Sequence, residues 1–210
     1  MLMPPERIEY YNNSLRQQLQ RLVVSVKSYH ELRGSKTAEL TNKANRLWEL
    51  NQRYRLVKGK NEAASVYLLS ACQEAFQGLY NSILHLDEEL FEVFIQVEEF
   101  KNECMQLTTE QETSETPGFL KELLDFLEES LKSMQNQTKY LELHLRQLHP
   151  KFALGESALE AFKSDLQLPE HIEASMTLGL AKIERLLKKP LDFVQEKLIR
   201  VDGPQTIVGA

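Results

Sequence analysis

The chain has 210 residues, of which 42% are hydrophobic and 27% charged, with only 8 Gly and 7 Pro. That length holds one large or two small domains, and so few turn-forming residues exclude a fold built from many strands and hairpins. The net charge of −6 is spread unevenly: residues 1–60 carry twelve basic and five acidic side chains, residues 61–130 two and sixteen, and residues 131–210 eleven and ten.

The first predicted helix runs from about Pro5 to Arg33. Ile8, Leu15, Leu19, Leu22, Val26 and Tyr29 form a stripe at spacings of three and four, with Asn12 at one position of the seam. Gly34 then reads as a helix stop, and Ser35 or Thr37 as the cap of the next helix. That second segment carries Leu40, Ala44, Leu47 and Tyr54, with Trp48 and Leu50 widening the stripe, and it ends or kinks at Gly59.

The third segment, about Asn61 to Leu107, has the clearest pattern. Leu69, Cys72, Phe76, Leu79, Ile83, Leu86, Leu90, Val93, Val97, Phe100, Cys104 and Leu107 recur at alternating spacings of three and four. A period of 3.5 residues belongs to a helix packed along its length and to no strand. At about 1.5 Å per residue such a helix reaches roughly 70 Å. Whether residues 36–107 form one kinked helix or two is left open by the sequence.

Thr108 to Thr116 is polar and acidic and reads as a solvated loop, with Thr116-Pro117 opening the next helix. Leu120, Leu124, Leu127, Leu131, Met134, Leu141, Leu145 and Leu148 continue the heptad spacing, interrupted by Thr138, until His149-Pro150 ends it. Two long heptad-patterned helices joined by a short loop predict an antiparallel hairpin.

Beyond Pro150 the segments shorten. Ser157 and Glu160 match a capping box. Leu168-Pro169-Glu170 opens a further helix with Ile172, Met176, Leu178, Leu180, Ile183, Leu186 and Leu187 as core candidates, and Lys189-Pro190 breaks it. Leu191 to Val201 reads as a last short helix, and residues 202–210 as a flexible tail. The fold expected is all-α: an elongated bundle built on a long antiparallel hairpin in residues 1–150, with a smaller helical segment, 151–201, packed on it.

The two cysteines, Cys72 and Cys104, lie in one predicted helix about 48 Å apart. They cannot pair within it, and free thiols fit a reducing compartment. No apolar run approaches the ~20 residues of a membrane span. The N-terminal residues MLMPPERIEYY lack the pattern of a secretory signal. A cytoplasmic location, or a nuclear one, is therefore expected.

No local motif carries chemistry. His144 and His149 are five residues apart, a spacing that does not place them on one helix face. His85 has Glu88 and Glu89 within helical reach, but a metal would need a third, remote ligand. The acidic run from Asp87 to Glu103 lies on outward helix positions, without a cleft to shift a carboxyl group. There is no Gly-rich phosphate loop and no nucleophile motif. No catalytic residue, metal or cofactor is assigned.

Two features point to binding. Phe91, Phe94 and Ile95 lie off the heptad seam and make the third helix apolar almost all round for two turns. With Phe100 they are the candidate partner contacts. The helix is also longer than a compact chain of this size needs, so a second chain is expected to complete part of its seam. The leading expectation is a non-enzymatic scaffold or adaptor that binds protein partners, or itself, through its long helices. A second is a nucleic-acid or anionic-membrane binding module using the basic helices 1–60, with Arg16, Arg21, Lys27, Arg46, Arg53 and Arg55 as its face. Opposing it, the same cations can be neutralised by the chain's own acidic region. A third is a bundle enzyme with a site in its core.

Overall fold

The computed structural model describes residues 4–110, 118–152 and 155–188, and among these it is all-helical. Five helices follow in order: α1 (Pro5–Val57), α2 (Glu62–Glu110), α3 (Gly118–Gln147), α4 (Glu156–Leu166) and α5 (Glu170–Leu187). At about 1.5 Å per residue, α1 and α2 are rods of roughly 80 and 70 Å.

The chain runs straight through Gly34, where a stop was expected. Glycine in a helix interior costs only about 1 kcal/mol relative to alanine. Buried seam residues on either side, Tyr29 and Leu40, offset that cost. Ser35 and Thr37 cap nothing: their hydroxyls donate to the carbonyls of Leu32 and Arg33, back along the same helix. The real reversal follows Val57. Gly59 has φ of +76°, a left-handed conformation that suits glycine, and Asn61 Oδ1 caps α2 by accepting the Ala64 N–H at 3.0 Å. Residues 36–107 are thus the parts of two helices.

The apolar side chains form two stacked clusters. The lower holds α1 from Tyr11 to Tyr29, α2 from Leu90 to Leu107, α3 from Leu120 to Met134, and Met176 and Ile183 of α5. The upper holds Leu40 to Leu47, Cys72 to Leu86, Leu141 to Leu148, and Leu159, Phe162 and Leu166 of α4. These memberships make α1, α2 and α3 alternate in direction. The α4–α5 pair then descends in the fourth position, packed between α1 and α3. The architecture is an up-down-up-down four-helix bundle whose fourth rod is broken at Gln167-Leu168-Pro169. The expected smaller C-terminal segment is, through α4 and α5, the fourth rod that fills both clusters.

Polar side chains of α1 hold the C-terminal ends of α3, α4 and α5. Asn51 Nδ2 donates to the Leu148 carbonyl at 3.2 Å, Arg33 Nη2 to the Asp165 carbonyl at 3.0 Å, and Arg16 Nη2 to the Leu187 carbonyl at 2.9 Å. Each acceptor lies at the C-terminal end of α3, α4 or α5, where helix carbonyls lack intrahelical partners. Arg33 is only 4% exposed. With Thr138 it falls between the two clusters, and the Thr138 hydroxyl donates to the Met134 carbonyl at 3.1 Å and lies 3.5 Å from the Tyr29 hydroxyl.

Several finer expectations shift. Tyr11, not Asn12, takes the seam position in α1, and Leu123 is buried more deeply than Leu124 in α3. Thr108 to Glu110 extend α2 instead of opening a loop. Gly155, not Ser157, is the N-cap of α4, so the capping-box pair sits inside the helix and Glu160 bonds Lys163 at 2.9 Å. Within α5, Met176 and Ile183 are buried, whereas Leu178 is exposed on the outer face. The expected cap at Thr116-Pro117, the Lys189-Pro190 break, the helix from Leu191 to Val201 and the tail lie outside the described residues.

Candidate interaction surfaces

Between α2, α3 and α5, the space bounded by Val97, Phe126 and Met176 amounts to about 10 Å³, room for no more than a water. Among the described residues, no three His, Cys, Asp or Glu side chains come together to hold a metal ion. His85 lies 3.8 Å from Glu88. His144 pairs with Asp165, and this pair ties α3 to α4. His149 stands edge-on to Phe76, with ring centroids 4.8 Å apart. Burial, then the Lys151 charge, lowers its pKa. Cys72 and Cys104 are free and buried. Burial pushes both thiols up, Cys104 to about 12 with some help from Glu103, so neither forms a ready thiolate.

The candidate partner contacts on α2 separate by depth. Phe100 is fully buried, with 0% exposure, and belongs to the lower cluster. It is a core residue because α1 and α3 close the α2 seam from within the chain. The length of α2 is matched by α1, so no second chain is needed to complete that seam. Phe94 is half-buried against the same cluster, and Ile95 is half-buried as well. Phe91 is 58% exposed and stacks on Phe94 with ring centroids 5.9 Å apart.

Phe91 is not isolated. Leu84, Phe91 and Met105 are all exposed and are separated by whole heptads, with exposed Tyr80 one turn before Leu84. They form a second, interrupted stripe on the outer side of α2. The same heptad spacing of Leu84, Phe91 and Met105 stands in the sequence, beside the much denser inner seam of α2. Exposed Asp87, Glu88, Glu92 and Glu99 border this stripe.

The basic face behaves differently. Arg16 is spent on the Leu187 carbonyl and Lys27 pairs with Glu184 across to α5. Arg55 donates to the Phe152 carbonyl at 3.2 Å. Lys36 and Lys43 both hold Glu39 and bring its pKa down to about 2. Arg21, Arg46 and Arg53 are exposed. Arg46 and Lys43 flank a shallow groove of about 250 Å³ floored by Ala71, Ala75 and Gly78. The cations of α1 therefore do not form one continuous surface, and which of them are engaged depends on contacts with residues far away in the chain.

No helix among the described residues is long and apolar enough to cross a membrane. Compared with protein-family models, curated proteins and solved structures, the chain matches none of them.

Proposed function

We propose that the protein is a non-enzymatic helical interaction protein, a scaffold or adaptor, that binds a protein partner through the outer face of α2. The carrying observation is the exposed stripe of Leu84, Phe91 and Met105 on a helix whose inner seam is already filled. Apolar side chains at heptad multiples on a rigid rod suit the packing of another helix, from a different protein or a second copy. The free thiols fit a reducing compartment, cytosolic or nuclear. The reading assigns the chain no catalytic step and no cofactor.

The test is affinity capture of the tagged protein from its native cells, run beside the variant L84S/F91S. Both positions are exposed, so far-UV helicity and the melting temperature are expected to stay close to those of the parent. A near-stoichiometric partner that the parent retains and the variant loses is the expected result. An identical set of proteins from both overturns the reading. Phe94 is left intact because its packing on the core would confuse loss of binding with loss of fold.

The nucleic-acid reading has less to stand on, since Arg16, Lys27 and Arg55 each bond within the chain. Its distinguishing property is affinity that falls steeply with salt.

A further inference from the structure

We infer that the tip of the α1–α2 hairpin is a contact site for an anionic lipid surface. The inference is independent of the outer face of α2. Leu56, Val66 and Tyr67 are 68%, 65% and 74% exposed, and they flank a single tight turn. The Ser65 hydroxyl donates to the Val57 carbonyl at 3.1 Å, which draws Leu56 and Val66 to the same end of the bundle. Phe152, also exposed, adds to that end, since Arg55 bonds its carbonyl. Large apolar side chains this exposed, gathered at one end of a rod, have no packing role within the described residues.

The charge at the tip has the matching sign. Residues 53–67 hold four cations, Arg53, Arg55, Lys58 and Lys60, against Glu62 alone. Arg53, Lys58 and Lys60 are exposed and enter no ion pair among the described residues, and the Lys58 ammonium sits 5.7 Å from the Tyr54 ring centroid. In a chain of net charge −6, this is a local positive end, and a local patch governs encounter at close range. Each basic side chain near an anionic leaflet contributes about fivefold in partitioning. The apolar trio decides between polyanions. A phosphodiester backbone gives Leu56 and Val66 nothing to bury against, whereas the acyl boundary of a leaflet accepts aliphatic side chains beneath a collar of lysines and arginines.

The experiment is co-sedimentation of the full chain with vesicles at physiological salt. One set is phosphatidylcholine alone and the other is phosphatidylcholine mixed with phosphatidylserine. The parent is expected to sediment with the mixed vesicles and to stay in solution with the neutral ones. K58E/K60E is expected to lose about twentyfold or more in partitioning. L56S/V66S/Y67S keeps every charge and is expected to lose roughly tenfold. R21E, which reverses an exposed cation far from the tip, is expected to behave as the parent. Circular dichroism confirms that each variant is folded. The inference is overturned if no phosphatidylserine-dependent sedimentation occurs. It is equally overturned if R21E loses as much as K58E/K60E, or if the serine triple variant binds like the parent. Retention of the parent on DNA at a salt concentration that releases it from the mixed vesicles would assign the tip to nucleic acid instead.

Discussion

Burial gives individual side chains of this bundle properties that their residue types do not. Cys104 sits on the inner seam of α2 with its thiol pushed up to about 12, chiefly by burial. Cys72 is fully covered in the upper cluster. Thiolate chemistry at neutral pH requires both exposure and a low pKa, and these residues have neither. Native protein is therefore expected to leave both thiols unmodified by a thiol-disulfide reagent at pH 8, with two equivalents reacting in denaturant. A rapid native reaction at Cys104 would mean that the α1–α2–α3 interface opens. Arg33 and Asn51 illustrate a different constraint. Both occupy seam positions where an aliphatic residue was the simpler choice, and each donates to a carbonyl at a helix C-terminus, the Leu148 one buried and the Asp165 one partly so. Arg33 carries a residual cost, since its Nε and Nη1 have no hydrogen-bond partner among the described residues.

Among the elements, α1 organises the rest. It runs the length of α2, and Arg16, Arg33 and Asn51 reach the C-terminal ends of the three later helices. The two glycines at its middle and its end separate propensity from conformation. A Cβ on Gly34 meets nothing within 4 Å, and the backbone there is helical. Gly34→Ala is expected to stabilise the protein by about 1 kcal/mol, read from denaturant midpoints. Gly59 also has open space around it, but its φ is +76°. Gly59→Ala is expected to destabilise by about 1 kcal/mol in the same assay. Opposite signs at two sterically open glycines would confirm that α1 is continuous at one and reversed at the other. A stabilising effect at both would place the turn elsewhere.

At the scale of the whole molecule, the fourth rod is the least secured part. It consists of α4 and α5, and α5 buries only Met176 and Ile183 fully. Its approach to α3 depends on Gly179, where an added Cβ would lie 1.8 Å from Phe126 Cζ. That overlap requires the Phe126 ring to swing aside or α5 to lift. Gly179→Ala is expected to cost about 1–3 kcal/mol and to speed amide exchange in α5 more than in α1 or α2. Because the ring is the obstacle, adding Phe126→Ala should offset part of the loss. A strictly additive double variant would count against close approach as the cause. Lys27–Glu184 ties α5 to α1, and Lys182–Glu122 ties it to α3. Both are exposed pairs, worth at most about 1 kcal/mol each, so the docking of α5 rests on packing.

The all-helical character, the apolar inner stripe of α2 and the helix opening at Pro169-Glu170 were determined by the sequence alone. Periodicity, prolines and capping residues act within a few turns, and their effects are visible wherever they stand. The tertiary structure decided the remainder. Gly34 looked like a stop because local propensity favours one there, and the packed residues on either side overrode a penalty of about 1 kcal/mol. Phe91 and Phe100 are the same residue type nine positions apart in one helix, yet one is exposed and the other buried. Which cations of α1 are spent on α5 also follows from where α5 settles. A helix carries its pattern in its own sequence, but which faces are covered depends on the other rods. That placement is set by many small packing terms between residues far apart in the chain.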